Sequence, residues 1–109
     1  MTRQKDDFYP TPLIATEALL DHESFDGDIW EPACGDGAIS APVSLYHNVI
    51  STDLNDYGYG DSGIDFLMEQ KLSAPNIITN PPYKLAQQFI QKAIDLGAKK
   101  HCWLLRLSF

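Results

Sequence analysis

The spacing of hydrophobic residues along the chain changes repeatedly between a helical and a strand-like pattern. Apolar residues recur at helical intervals over residues 12–22 and 85–96, and a further helical stretch runs from residue 38 to about residue 46. Thr11 is suited to capping the first helix, Pro12 to its first turn, and Gly97 to stopping the helix that ends at residue 96. Short apolar runs that are typical of buried strands cover residues 29–33, 48–54, 64–67, 76–79 and 101–107, and a helical turn is predicted over 67–72.

Strands and helices alternate in this pattern, and each connection is long enough for a right-handed crossover between parallel strands. The sequence therefore predicts an α/β fold with an open, mostly parallel sheet and helices on both faces. In such a sheet, ligands bind beyond the carboxyl ends of the strands. The residues that follow the predicted strands are unusual for their positions, and they are Glu31 to Gly37, Asp53, Asp65 with Phe66, and Asn80 to Tyr83.

Composition and charge narrow the possible functions. The 109 residues, of which 44% are hydrophobic and 21% charged, fit one globular domain over residues 1–109. No apolar run is long enough for a membrane span or a signal peptide, so we expect a cytoplasmic protein. The cysteines and histidines share no ligand spacing, so we expect no metal site. Because tight binding of nucleic acid usually requires a basic patch, the net charge of −7 predicts weak binding of nucleic acid by this chain alone.

A glycine-containing turn follows the first predicted strand, with the sequence EPACGDG at residues 31–37. Gly35 and Gly37 allow a ligand to approach the backbone closely, although turns of this kind also arise for purely steric reasons. Asp53, which ends the next strand, strengthens the case for a ligand. A carboxylate at this position can accept two hydrogen bonds from the hydroxyl groups of a ribose.

The most specific motif is Asn-Pro-Pro-Tyr at residues 80–83. The amide oxygen of Asn80 and the carbonyl oxygen of Pro81 are two acceptors on rigid backbone, and together they can hold both hydrogens of an NH₂ group. Such a grip disfavours the planar delocalised form of a conjugated amine and points its lone pair at an electrophile. The ring of Tyr83 offers a face on which a planar group can stack.

Taken in order, these motifs resemble those of the class I, Rossmann-like amino-methyltransferases that use S-adenosylmethionine, and especially the adenine-specific DNA methyltransferases. The segment 8–12 (FYPTP) resembles the N-terminal Tyr-x-Thr-Pro segment of this family, residues 31–37 its cofactor loop, and residues 80–83 its catalytic motif. The resemblance implies a cofactor site that comprises Tyr9, Thr11, Glu31, Ala33, Gly35, Gly37, Asp53, Asp65, Phe66 and Asn80, and catalytic residues that comprise Asn80, Pro81, Pro82 and Tyr83.

The resemblance also implies individual roles for these residues. Thr11 is expected beside the methionine part of the cofactor and Asp53 at its ribose. Asp65 is expected at the amino group of the cofactor adenine and Phe66 against the adenine ring. Tyr83 is expected to stack on a base that has been flipped out of the duplex, while Asn80 orients its amino group for direct displacement.

The matching motifs span residues 8–83, and the sequence then runs to residue 109. Family members that act on DNA carry hairpin strands beyond the fifth strand and usually a target-recognition region. We therefore expect the C-terminal hairpin strands to be lacking, and the chain to be the N-terminal part of a full domain. A missing C-terminal region or a partner chain would then recognise the target.

The identity of the target stays open at this point. Asn-Pro-Pro-Tyr motifs also serve methyltransferases of RNA bases and of protein glutamine amides. The early segment 8–12 and Pro32 in the cofactor loop favour adenine in DNA. A further alternative is a non-catalytic, cofactor-binding subunit of a modification complex.

Overall fold

The computed structural model describes residues 10–105. Within this range the α-helices are α1 (Leu13–His22), α2 (Ser40–Val43) and α3 (Ala86–Leu96). The β-strands are β1 (Ile29–Glu31), β2 (Val49–Ser51), β3 (Asn76–Thr79) and β4 (Lys100–Trp103). Two short 3-10 helices cover Phe66–Met68 and Tyr83–Leu85. None of the helices described here is long and apolar enough to cross a membrane.

The strands form an open parallel sheet with the order β2-β1-β3-β4. β1 lies between β2 and β3, so that Ile29 is opposite Val49 on one side and opposite Asn76 on the other. β4 pairs with β3 up to the end of both strands, where Thr79 is opposite Trp103. The predicted α/β fold with an open parallel sheet is confirmed. Because all strands run in the same direction, their carboxyl ends meet at one edge.

Helices cover both faces of this sheet, because successive strand residues point to opposite sides. The core on the side of α3 comprises Trp30, Ala33, Phe66, Ala74, Ile77, Phe89 and Ala93. The core on the side of α1 and α2 comprises Ile29, Ile39, Val43 and Ile78, with Leu19 and Leu20 of α1 packed against it. Full burial of one large apolar side chain contributes about 1.5–3 kcal/mol to stability. The two cores therefore hold a layer of helix on each side of the strands.

The predicted strand over residues 64–67 is wrong. The chain turns there into the 3-10 helix Phe66–Met68, because the Asp65 carboxylate accepts a hydrogen bond from the Leu67 backbone N–H at 3.0 Å. Thr52, which directly follows β2, instead forms an isolated parallel bridge with Asp61. The fifth strand predicted from the sequence therefore corresponds to β4, the fourth strand of the described residues.

The helix predictions hold for α1 and α3 and fail in two details. Thr11 does not cap α1, because Pro12 is the N-cap residue and no side chain makes a capping hydrogen bond there. The helix predicted over residues 38–46 is reduced to the four residues of α2. Pro42 lacks the N–H that would bond the carbonyl of Ala38. At the end of α3, Gly97 adopts the left-handed φ of 82° and stops the helix as predicted.

Candidate functional site

A cavity of about 330 Å³ opens at the carboxyl edge of the sheet. Its wall is built from four separate stretches of the chain, the ends of β1 and β2, the segment before the first 3-10 helix, and the segment from the end of β3 into α3. The predicted site residues in this wall are Ala33, Asp53, Asp65, Phe66 and Pro82. We call this space the Asp53 cavity. The sequence motifs that are far apart along the chain therefore surround one space.

Asp53 lines this cavity and is 5% exposed. Its Oδ2 accepts a hydrogen bond from the Gly35 backbone N–H at 2.9 Å, and its Oδ1 accepts one from the Asn55 backbone N–H at 2.9 Å. The carboxylate thus connects the glycine loop after β1 to the end of β2. A carboxylate has about four acceptor positions. Asp53 can therefore still accept hydrogen bonds from a ligand while it keeps both backbone partners.

Asp65 and Phe66 reach the same cavity from the next segment. The ring of Phe66 is 1% exposed. It packs against Trp30 with ring centroids 5.1 Å apart and against Phe89 at 5.0 Å. Half-buried Asp65 uses Oδ1 for the Leu67 backbone N–H. The core therefore fixes the aromatic wall of the cavity, and the carboxylate of Asp65 stands beside it.

Glu31 lies beneath the glycine loop and takes no part in the cavity wall. Glu31 is 2% exposed, and its carboxyl group accepts hydrogen bonds from Ser40 Oγ at 2.5 Å and from Thr79 Oγ1 at 3.0 Å. Burial raises the pKa of Glu31 to about 8, although the two hydroxyl hydrogen bonds act to lower it. Contact of Glu31 with a cofactor stays a prediction, whereas its hydrogen bonds give it a structural role between β1, α2 and β3.

The two predicted loop glycines both have left-handed backbone conformations, and their contacts differ. Gly35, at φ 54°, donates its N–H to Asp53. Gly37, at φ 91°, lies under the ring of Tyr59, and a Cβ at this position would be 2.6 Å from Tyr59 Cδ1. Sequence reasoning missed Tyr59, because the segment 57–63 reads only as a glycine-rich loop. The space left by the missing side chain of Gly37 is thus filled by a ring of the same chain.

We expect Gly37→Ala to destabilise the chain more than Gly58→Ala. Both glycines have a positive φ, which disfavours alanine by roughly 1–2 kcal/mol. A Cβ on Gly58 meets no atom within 4 Å, whereas a Cβ on Gly37 meets the Tyr59 ring. Urea unfolding gives the two losses in stability, and their difference measures the contact with Tyr59. Equal losses in the two variants would show that the ring does not pack on the loop.

The predicted catalytic motif, residues 80–83, continues from β3 at the same edge of the sheet. Pro81 is buried, Asn80 and Pro82 are half-buried, and the side chain of Tyr83 is 65% exposed. Asn80 Nδ2 donates a hydrogen bond to Thr11 Oγ1 at 3.2 Å, across a separation of 69 residues. Thr11 of the predicted N-terminal segment and Asn80 of the predicted catalytic motif are therefore in contact. Tyr9 lies outside the described residues.

A second cavity of about 560 Å³ lies on the Asn80 side of the motif. It is lined by Pro10, Thr11, Pro12, Ala15, Asn80, Leu104 and Leu105. We call it the Thr11 cavity. Asn80 faces this cavity and Pro82 faces the Asp53 cavity, so residues 80–83 stand between the two spaces.

Two lysines of the described range are paired with acidic side chains. Lys99 forms an ion pair with Asp26 at 3.0 Å, and Lys100 forms one with Glu23 at 2.7 Å. Lys84 lines the Asp53 cavity. Among residues 10–105, no group of three or more His, Cys, Asp or Glu side chains could hold a metal ion.

Comparisons of the sequence with models of protein families and with curated proteins found no match. The chain is thus described by its α/β fold and by the geometry of this edge of the sheet.

Proposed function

We propose that the chain is an S-adenosylmethionine-dependent N-methyltransferase of the Rossmann-like class I fold. Its preferred target is the exocyclic amino group of adenine in DNA, and it acts in the cytoplasm. The proposal rests mainly on one observation: the predicted cofactor and catalytic motifs lie together at one edge of the sheet. Asp53, Asp65 and Phe66 surround one cavity, Pro82 closes its other side, and Asn80 is two residues away.

The Asp53 cavity suits the nucleoside part of such a cofactor. A space of about 330 Å³ lies within the size range of small-molecule sites. The remaining acceptor positions of Asp53 match the two hydroxyl groups of a ribose, and the Asp65 carboxylate matches an adenine amino group. Phe66 supplies an aromatic wall for the base. When bound, the cofactor supplies an electrophilic methyl group on a sulfonium centre.

The catalytic motif suits an amine that is a poor nucleophile. Asn80 donates a hydrogen bond from its amide nitrogen to Thr11 Oγ1, and we assign its amide oxygen as an acceptor for the target amine. The carbonyl of Pro81 is the second acceptor. The ring of Tyr83 is exposed, as stacking on a flipped base requires. Once the nitrogen carries the methyl group, its proton is acidic enough to leave to water without a strong general base.

The negative charge of the chain favours a further region or a partner chain that helps to bind DNA. The net charge is −7, and Lys99 and Lys100 are paired with acidic side chains. A chain of this kind gains little from phosphate contacts. We propose that this chain holds the cofactor and orients the amine, while a further region or partner supplies the basic surface. The alternatives are methyl transfer to RNA bases, methyl transfer to glutamine amides, and a role that is limited to binding the cofactor. Transfer of a labelled methyl group distinguishes these alternatives.

We expect Asp53→Ala to weaken the binding of the product analogue S-adenosylhomocysteine by about 10–100-fold. Loss of charge-assisted hydrogen bonds costs about 1.5–3 kcal/mol, and each 1.4 kcal/mol changes affinity tenfold. Isothermal titration calorimetry measures the affinity. Asp56→Ala is the matched control, because Asp56 is exposed in the same region and its carboxylate bonds only the Gly58 backbone N–H among the described contacts. Equal affinity of both variants and the original chain would remove Asp53 from the cofactor site.

A further inference from the structure

The ends of β1 and β3 lead into the two predicted motifs, and they are connected differently from the rest of the sheet. The described pairing of β1 with β3 ends at Trp30 and Ile77. On its other side, β3 stays paired with β4 up to Thr79, whose carbonyl oxygen accepts a hydrogen bond from the Leu104 backbone N–H at 2.9 Å. Beyond Ile77, side chains continue the contact between β3 and β1.

Thr79 makes this side-chain contact. Its Oγ1 lies 3.0 Å from Glu31 Oε2 and 3.3 Å from the carbonyl oxygen of Ala33. Thr79 is buried and directly precedes Asn80. Ala33 belongs to the glycine loop and lines the Asp53 cavity. One hydroxyl group therefore links the start of the predicted catalytic motif to the wall of the candidate cofactor site.

The two contacts of Thr79 need two hydrogens, and its hydroxyl group supplies only one. A neutral carboxyl group at Glu31 carries a hydrogen of its own, which it can donate to Thr79 Oγ1. The hydrogen of Thr79 is then available to the carbonyl oxygen of Ala33. An ionised Glu31 has no hydrogen to give, and its charge attracts the hydrogen of Thr79. Only the neutral form of Glu31 can therefore turn both contacts into hydrogen bonds.

The surroundings of Glu31 favour the neutral form. Glu31 is buried, and its carboxyl group is bonded to Ser40 Oγ, which is bonded in turn to Ser51 Oγ at 2.8 Å. The segments of α2 and β3 contain no ionisable side chain, and the ionisable side chains of α1 are exposed. Burial is the main cause that raises the pKa of Glu31, and the negative charge of Asp53 raises it further.

We propose that Thr79 is a positioning residue that, together with neutral Glu31, fixes Asn80 relative to the glycine loop, an inference that rests on the proposed N-methyl transfer. Thr79 does not touch the reacting atoms and acts through the backbone of Asn80. The link keeps the target amine at a fixed distance from the methyl group of the cofactor. Ionisation of Glu31 loosens the link, so that methyl transfer slows while the cofactor stays bound.

Thr79→Val removes the hydroxyl group with little change in shape, and Thr79→Ser keeps it. We expect Thr79→Val to lower kcat about tenfold with saturating cofactor, which corresponds to the loss of about one hydrogen bond. The affinity for S-adenosylhomocysteine should stay near that of the original chain, and Thr79→Ser should restore most of the rate. A folded Thr79→Val chain with the original kcat would overturn the proposal.

Thr52→Val is the matched control. Thr52 is also a buried threonine, and its Oγ1 accepts a hydrogen bond from Trp30 Nε1 at 3.0 Å. The substitution should lower stability towards urea, as Thr79→Val does, but it should leave kcat with saturating cofactor unchanged. An equal loss of kcat in the two variants would show that the rate only follows stability, and it would overturn the positioning role.

The pH dependence of kcat tests the part played by Glu31. The pKa of Glu31 is raised to about 8, so its carboxyl group is largely neutral at pH 6 and largely ionised at pH 9. We expect kcat of the original chain to fall over this range at a temperature at which the chain stays folded. Glu31→Gln keeps its side-chain hydrogens throughout, so its kcat should stay level. The same fall in both chains would overturn the proposal.

Nuclear magnetic resonance tests the link without any methyl transfer. The backbone amide signals of Asn80 and Ala33 should shift as Glu31 ionises in the original chain. They should stay in place in Glu31→Gln, and the shift of Asn80 should be much smaller in Thr79→Val. An Asn80 signal that does not follow the ionisation of Glu31 would overturn the link. The expected shifts in a chain that methylates no target would instead overturn the proposed function.

Discussion

Asn80→Ala should lower the rate of methyl transfer by at least about 100-fold while the affinity for the cofactor stays nearly unchanged. The amide oxygen of Asn80 is one of the two acceptors proposed to orient the amine, and removal of a preorganised hydrogen-bonding group of this kind typically costs 100–1,000-fold in kcat. Asn80 lines the Thr11 cavity and not the Asp53 cavity, so the nucleoside part of the cofactor keeps its contacts.

Single-turnover rates with saturating cofactor measure this effect, and calorimetry gives the affinity. Asn48→Ala is the control, because Asn48 is exposed and directly precedes β2, at the opposite edge of the sheet. It should retain full activity. A chain with Asn80→Ala that binds the cofactor poorly but reacts at the normal rate would reverse the roles assigned to residues 53 and 80.

The folded chain should be substantially more stable at pH 5 than at pH 8, and Glu31 should be the main cause. Burial raises the pKa of Glu31 to about 8, against the opposing effect of hydrogen bonds from Ser40 and Thr79. In the unfolded chain the same group has an ordinary pKa of 4.5. Between these values the unfolded state loses a proton that the folded state keeps, so a rise in pH favours unfolding.

The contribution of Glu31 is therefore complete below about pH 4.5 and is lost as the pH rises through about 8. A difference of one pKa unit corresponds to about 1.4 kcal/mol, so the total is on the order of several kcal/mol. Urea unfolding at intervals from pH 5 to pH 9 measures the slope. Glu31→Gln should flatten it, because glutamine does not ionise in this range.

Glu17→Gln is the control for this experiment, since Glu17 is exposed on α1. This variant should keep the slope of the original chain. A stability that rises between pH 5 and pH 8, or a Glu31→Gln chain with an unchanged slope, would show that Glu31 is not held neutral in the fold. The result bears on the site, because Thr79 bonds Glu31 and directly precedes Asn80.

Local sequence patterns predict the parts of the fold in which one periodicity dominates. The apolar spacing over residues 85–96 corresponds to α3, and the β-branched run at 76–79 corresponds to β3. Residues 64–67 look like a strand because three of the four are apolar, but the Asp65 side chain accepts a hydrogen bond from the Leu67 backbone N–H and turns the chain. The hydrophobic pattern of a sequence does not show whether a side-chain hydrogen bond will compete with strand pairing.

The placement of the motifs at one edge of the sheet is predictable from the sequence, whereas their hydrogen-bond partners are not. The sequence identifies Asp53, Asn80 and Glu31, but it does not say that Asp53 bonds Gly35 or that Glu31 bonds Thr79. These contacts join residues far apart in the chain, and their geometry depends on how the strands are ordered. The ring of Tyr59 over the glycine loop is unpredictable for the same reason.

The reaction proposed for this chain is the transfer of a methyl group from S-adenosylmethionine to an amino nitrogen. The most direct test is incubation of the chain with cofactor carrying a tritiated methyl group and with single-stranded or duplex DNA, followed by digestion and separation of the nucleosides. We expect label in N6-methyladenine, and none when Asn80→Ala replaces the original chain. Bound cofactor without label on DNA, RNA or protein, with or without added partner proteins, would contradict the claim.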